Sequence, residues 1–392
     1  MVVQGAQMTS DDWIEHYRSK HHGDTIENNT APQVTSPVPQ TRSLIRNHTE
    51  LGSLFKITLT NLALTILTLG IYRFWAKTRL RQYLWSHVEV LGDRLEYTGT
   101  GKELFLGFLF VFLVILLPLF GGIGFLNTLL VDNPVAQQLL GGVQTVLIIF
   151  FIGAAFYRAR RYRLTRTHWR GIYANQTGSA IEYGFMALGC YFGSLMTLGL
   201  VWPVCSVWLK TYEMRHTWIG NQQPEFTPRI RKLYGPFMAA WGMLIVYFIA
   251  WGVVFAGMMS AFNTPDPDSE QVAMLGLMVV GLYASLIPAG LIFLWYRGKA
   301  YNHFVSSTRF INHDVTSAIT GGGFMWLTVG NALIMLLSLG LASPFVYRRY
   351  LNFVENRVAL TGDGDFSTLG QGEMAKPTTG EGLADAFDVG AI

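Results

Sequence analysis

Charge is what this sequence has least of. Only 14% of its 392 residues are Asp, Glu, Lys or Arg, against about 25% in a soluble domain. With 51% hydrophobic residues and a mean hydropathy of +0.30, the deficit points to a membrane protein. Cysteine is nearly absent. Cys190 and Cys205 lie in one apolar stretch without ligand-like neighbours, so packing is the expected role and neither a disulfide framework nor a metal site. Catalytic motifs are missing: there is no His-Glu-x-x-His, no P-loop and no Gly-x-Ser-x-Gly. Gly321-Gly322-Gly323 lacks a following Lys-Ser/Thr and follows no convincing strand, which argues against a phosphate cradle. Thr361 to Asp365 has the look of a calcium loop but lacks the later acids, so it is read as a turn. The adjacent pair His21-His22 cannot share one ion and has no third ligand nearby. His87 near Glu89 and His168 beside Trp169 have no nucleophile or second acid placed by motif, and are read as interfacial polar residues. The expectation is a protein that is not an enzyme and needs no cofactor. Residues 1 to 50 lack the apolar core of a secretory signal, so insertion rests on internal spans.

What is present is a recurring apolar element with a glycine near its end. Asn61 to Gly70 reads NLALTILTLG, Cys190 to Gly199 reads CYFGSLMTLG, and Asn331 to Gly340 reads NALIMLLSLG. An apolar residue follows each glycine, and then a more basic segment. The glycines are 129 and 141 residues apart, which implies about two and a half copies of one large unit. The second copy is less basic and carries Pro203.

The stretch TLGIYRFWAKTRLRQYLW, then LGDRLEYTGTGKELFLGFL, Thr167 to Ile172 and SLGLASPF resembles the YjgN family of bacterial inner-membrane proteins over roughly residues 50 to 366. The resemblance implies location and architecture and carries no activity with it.

Residues 1–49 are expected to be a flexible tail and 367–392 a disordered one. Between them the units are 50–182, 183–318 and a half repeat, 319–366. Leu104 to Leu130 and Val135 to Tyr157 form one helical hairpin long enough to span, around the turn Asp132-Asn133-Pro134. Pro118 and Gly121-Gly122 predict a kink in its first arm. A second hairpin covers 236–296, turning at the acidic Asn263 to Gln271. Val88 to Thr98 alternates around Gly92-Asp93, the pattern of a short β-hairpin. Thr217 to Phe226, around Gly220-Asn221, repeats that pattern, and Val358 to Phe366 repeats an extended segment.

Charge decides among topologies. If all seven apolar segments crossed, the connectors 77–102 and 158–182, with eleven Lys and Arg between them, would lie outside, against the positive-inside rule. If only 104–157 and 236–296 cross, all 29 Lys and Arg share the cytoplasmic side with both termini. The three TLG elements are then re-entrant helix-break-helix segments, with Gly70, Gly199 and Gly340 at the breaks. The breaks should be covered by protein, because bare backbone is costly in lipid. Six or seven spans are the alternative, since the second and third elements are each uncharged for more than 25 residues. The expected fold is therefore an all-α polytopic membrane protein with internal repeats, spanning hairpins, broken TLG helices and short cytoplasmic β-hairpins.

Arg73, Lys77 and Arg81 fall at i, i+4 and i+8, one helix face, which suits a helix lying on anionic headgroups. The functional reading is a lipid-associated or partner-organising protein of the inner membrane. Its partners are anionic lipids at the cytoplasmic face and a membrane protein or a second copy of itself. Nucleic acid is set aside, because the same charges are needed at the membrane. The alternative is a permease or channel for a neutral or amphiphilic solute. The spanning arms, however, hold no ionisable group at depth for ion coupling. The candidate functional residues are Asn61, Thr68, Gly70, Arg73, Trp75, Lys77, Arg81, Trp169, Arg170, Gly199, Asn331 and Gly340.

Overall fold

A computed structural model describes residues 41–260, 269–362 and 364–372. The expected N-terminal tail up to residue 40, His21-His22, most of the acidic turn, Asp363 and the expected tail from 373 lie outside the described residues.

Among the described residues, four helices are long and apolar enough to cross a membrane: α3 (Gly101–Leu129), α4 (Pro134–Thr165), α7 (Ile230–Ser260) and, within α8 (Ser269–Val305), Val279–Val305. They expose their apolar surface, and nothing in the most apolar window of α7 is buried. α3 absorbs Pro118 by widening into π-helical turns over Phe112–Gly122 rather than breaking, one of the ways a helix accommodates a lost backbone donor. The basic residues cluster at one end of each hairpin: Lys102 starts α3 and Arg158 to Arg163 end α4, while Arg231 and Lys232 start α7 and Arg297 and Lys299 end α8.

Three shorter helix pairs alternate with these: α1 (Leu51–Leu67) with α2 (Arg73–Ser86), α5 (Ala180–Met196) with α6 (Trp202–Arg215), and α9 (Gly321–Leu337) with α10 (Ser343–Glu355). The first arm is 17 residues in each pair, about 25 Å at 1.5 Å per residue. The long uncharged second and third elements are therefore interrupted rather than continuous spans. Pro203 and Pro344 sit in the first turns of α6 and α10, where the missing N–H costs nothing. The arms pack on spanning neighbours through glycine. A Cβ at Gly153 of α4 would meet the Ala187 Cβ at 2.7 Å, and one at Gly298 of α8 would meet the Phe324 Cβ at 2.7 Å. Small residues allow this approach between membrane helices.

Two antiparallel sheets, beyond the isolated hairpins expected, correct the all-α reading. One has the order β2-β3-β4-β5-β6-β7 and the other β1-β11-β10-β9-β8. β1 (Thr41–Ser43) and β2 (Ile45–Asn47) lie in what was expected to be tail, one strand in each sheet. β3 (Val88–Val90) and β4 (Asp93–Tyr97) are the expected hairpin, with positive φ at Leu91 and Gly92, as its tight turn requires. β5 (Thr167–Trp169) and β6 (Ile172–Gln176) turn at Arg170-Gly171 in the same way. The expected turn at Gly220-Asn221 forms and closes one antiparallel bridge, Ile219 to Gln222, but β7 (Thr217–Ile219) and β8 (Glu225–Phe226) do not pair with each other. They enter different sheets, because each finds a longer partner, β6 and β9 respectively. β9 (Thr308–Phe310) and β10 (His313–Ser317) were not anticipated, and β11 (Val358–Gly362) pairs with β10. A strand thus does precede the glycine triplet, which opens α9 behind the Thr320 cap.

Residues 366–372, where the expected C-terminal tail begins, are packed against both sheets. Phe366 stands edge-on to Trp169 in one sheet and stacks on His313 in the other. The Asn221 N–H donates to the Gly370 carbonyl at 3.0 Å.

The core lies where helices meet strands. Leu54, Leu104 and Leu233, all fully buried, occupy the first turns of α1, α3 and α7. The Thr100 and Ser179 hydroxyls accept from the N–H groups of Glu103 and Glu182, each with the Ser/Thr-x-x-Glu spacing of a capping box.

Candidate functional site

The three hairpin turns have one geometry. Leu69, Leu198 and Leu339 have φ of 50°, and the glycines after them have φ of 91°, 86° and 86°. Glycine takes that left-handed conformation without a Cβ penalty. The Gly70, Gly199 and Gly340 N–H groups donate back to Thr65, Ser194 and Met335 carbonyls at 2.7, 2.6 and 2.8 Å. The Thr68 hydroxyl donates to the Leu64 carbonyl at 2.7 Å and accepts from the Tyr72 N–H at 2.9 Å. Thr197 bridges Gly193 to Val201, and Ser338 bridges Ile334 to Ala342, in the same way. The turn thereby meets the needs of its own backbone N–H groups.

This is why the expected protein cover is not needed. Leu69 is 94% exposed and Leu339 88%, with Leu337 beside it at 82%. The second tip is hydrogen-bonded by a spanning helix, α7. There the Trp241 Nε1 donates to the Leu198 carbonyl at 3.0 Å and Tyr234 Oη to the Leu200 carbonyl at 3.3 Å. Gly199 and Trp202 line an apolar cavity of about 260 Å³ with Trp241 and Phe293.

The arms of each pair are tied at matching heights. The buried Asn61 donates through Nδ2 to the Ala76 carbonyl at 3.2 Å. Cys190 and Cys205 take that place in the second pair, both buried and free, with Sγ of Cys205 at 3.9 Å from the Cys190 carbonyl. In the third, Asn331 Oδ1 accepts from Arg349 Nη1 at 3.4 Å. At the base of the second pair a charged network closes the hairpin. Glu213 takes Lys210 Nζ at 2.8 Å, Arg160 Nε at 3.6 Å and the Tyr183 hydroxyl at 2.9 Å. Arg160 also donates to Thr217 Oγ1 at 2.7 Å. Burial pushes the Glu213 carboxyl up, but Lys210 and Arg160 outweigh it, so it sits below the ordinary carboxylate value.

The basic face of α2 points differently from the expectation. Arg73 and Lys77 are half-buried and Arg81 is 6% exposed. Arg81 Nη1 reaches the Tyr97 hydroxyl at 3.5 Å, and its charge acts on Tyr347 of α10. The side turned outward carries Trp75, Arg79 and Gln82. Tyr97 and Tyr347 thus give Arg81 an inward destination, and it is not presented to headgroups. Trp75 lies against Tyr72 and Phe105, 6.3 and 5.8 Å between ring centres.

Trp169 and Arg170 belong to the sheet, apart from the hairpin turns. Trp169 Nε1 donates to the Val90 carbonyl at 2.9 Å, and Arg170 pairs with Asp93 in the adjacent turn while stacking on Trp169. His168 is buried edge-on to Tyr173, and burial lowers its pKa. The first and third pairs are neighbours through Phe55 on Phe345, and Asn47 at the end of β2 donates through Nδ2 to Asn352 Oδ1 of α10 at 2.6 Å. Missed from sequence were the Glu213 network and the Arg348–Arg349 surroundings. The first needs Arg160 and Tyr183 and the second Asn331, all distant in sequence from the groups they hold.

Among the described residues, no group of three His, Cys, Asp or Glu could hold a metal. The bacterial family described as a protein of unknown function, DUF898, matches residues 45–386. "Inner membrane protein YjgN" of Escherichia coli K12 is 30% identical over 146 residues, 37% of this chain and 33% of that protein. Its namesake in Salmonella typhimurium LT2 is 37% identical over 68 residues, 17% of each chain. The matched stretches thus span a third or less of these curated relatives. No solved structure matches. The resemblance drawn from the TLG and tryptophan-rich motifs is borne out.

Proposed function

The chain belongs to the DUF898 family, and from that footing we propose a multi-pass inner-membrane protein that organises lipid or a partner rather than catalysing a reaction. It crosses the membrane four times, keeps both sheets and both termini in the cytoplasm, and inserts three hairpin tips into the inner leaflet. Its hairpins are copies of one unit, with repeats at 50–182, 183–318 and 319–366.

The carrying observation is the tip geometry: a turn that satisfies its own N–H groups while exposing leucine. Such a turn can enter lipid, whereas an unsatisfied one cannot. Exposed apolar surface of this kind marks a membrane or protein contact. The relatives named as inner-membrane proteins support the location. The basic helix ends support a cytoplasmic sheet side through the positive-inside rule.

Depth differs between tips. The first charge after the glycine is Arg73, three residues on, in the first pair, Arg348, eight on, in the third, and Lys210, eleven on, in the second. At 1.5 Å per residue these are about 4, 12 and 16 Å, against about 15 Å for half the hydrocarbon core. The second tip also contacts Trp241, a few residues from the middle of α7. The first tip is therefore shallow, and the other two approach the midplane.

A fluorophore on cysteine at position 69, 198 or 339, in proteoliposomes with lipids brominated at different chain depths, tests this. Positions 198 and 339 should be quenched best by deep bromines and 69 by shallow ones. Equal quenching of all three by aqueous iodide, with none by lipid, would overturn the proposal.

A further inference from the structure

The third hairpin carries a basic groove. Two adjoining hollows, about 570 and about 270 Å³, meet at Arg349 and Asn352, between α9 and α10. Arg348 lines the part nearer the tip and Arg357 the part nearer the base. Among the described residues lining either hollow none is acidic, and none of the three arginines is paired with a carboxylate.

Two of these guanidinium groups are held in place without being neutralised. Arg349 donates to Asn331 and lies where α9 has no side chain: a Cβ at Gly330 would meet its Nη1 at 2.5 Å. Arg357 stacks on the Phe353 ring at 4.1 Å. The second hairpin is different, because the cations at its base, Lys210 and Arg160 of α4, share Glu213. Charges that served only to orient the chain would not need seats of this kind.

The groove is also amphiphilic. Ile334 and Phe345 line it toward the tip, and the exposed Leu337 and Leu339 continue that apolar surface. Arg348 lies eight residues past Gly340, about 12 Å from the tip. A tip near the midplane puts it close to the phosphate level of the inner leaflet.

We propose that this groove binds the phosphate of an anionic phospholipid between Arg348 and Arg349, with Asn352 beside it and an acyl chain along Ile334 and Phe345 toward the tip. Paired guanidinium N–H donors match phosphate oxygens in geometry and charge. The inference rests on the membrane insertion proposed above and adds the lipid class and the residues.

The test uses the detergent-solubilised full chain, with bound lipid read by native mass spectrometry. Phosphatidylglycerol and phosphatidylcholine of the same acyl chains are compared. Both lipids carry the phosphate, but choline adds a cation beside the arginines and cancels the net charge, so phosphatidylglycerol should be retained about tenfold better. Arg348→Gln, which leaves the Arg349–Asn331 contact in place, and Gly330→Val, which fills the Arg349 seat, should each remove most of that preference. Arg94→Gln, on the sheet, should not. Retention of phosphatidylglycerol unchanged in Arg348→Gln, or equal retention of both lipids, overturns the site. Displacement by inorganic phosphate, independent of acyl chain, overturns the lipid assignment in favour of a soluble anion. Because binding is read in detergent, its failure is separable from failure of tip insertion, which the bromine quenching reads independently.

Discussion

Replacing Glu213 with alanine should destabilise the protein by about 1–3 kcal/mol, the cost of leaving partly buried hydrogen-bonding groups without their partner. Arg160 and Lys210 both meet this carboxylate, whose side chain is only 16% exposed, and the Tyr183 hydroxyl donates to it. Unfolding of the purified protein in detergent, followed by denaturant titration, measures the loss. Glu213→Gln keeps an acceptor for Tyr183 but not the charge, and should fall between wild type and alanine. The pH dependence has a definite sign. The folded carboxyl sits below its ordinary value because the two cations outweigh its burial. Its contribution is therefore complete above the ordinary carboxylate range and is lost as pH falls through the lowered value. A Glu213→Ala protein within about 0.5 kcal/mol of wild type, the range of a neutral surface change, would mean that the network does not close the hairpin.

Aspartate at a deep tip should expel it from the bilayer. On the insertion scale a charged residue at mid-membrane costs about 3 kcal/mol, or roughly a hundredfold in population. Leu198→Asp and Leu339→Asp should each turn a protected neighbouring cysteine, at 200 or 341, into one labelled by an aqueous maleimide. Leu69→Asp should have a much smaller effect, because Arg73 already holds that tip near the surface. Equal labelling before and after all three changes would show that no tip is in lipid.

What was legible in the sequence was local. Long apolar runs flagged the spanning hairpins, and Gly92-Asp93 flagged the β3–β4 turn. The Thr/Ser-Leu-Gly triplet marked the breaks, because the side chain and the left-handed glycine act within four residues of each other. Strand partnership was not legible. β4 pairs with β5 across some 70 residues and β1 with β11 across more than 300, and strands of two to five residues carry too little periodicity to announce it. The β9–β10 hairpin turns on Ile311-Asn312 without a glycine, and so passed for plain connector. Spacing put Arg73, Lys77 and Arg81 on one face, but the direction of that face depended on Tyr97 and Tyr347, which are distant in sequence. The Arg348–Arg349 pair was visible as charge, but the Gly330 seat that positions Arg349 was not.

The most direct test of the central claim is single-cysteine labelling from outside the membrane, in a background with Cys190 and Cys205 replaced. Probes at positions 94, 177 and 221 report on the sheets, and probes at 133 and 269 on the far turns of the two spanning hairpins. The account predicts that only 133 and 269 react with an impermeant maleimide. Reaction at 94 or 177 from the same side would contradict it. The TLG elements would then cross the membrane, and neither inner-leaflet insertion nor a shared cytoplasmic side for the sheets would stand.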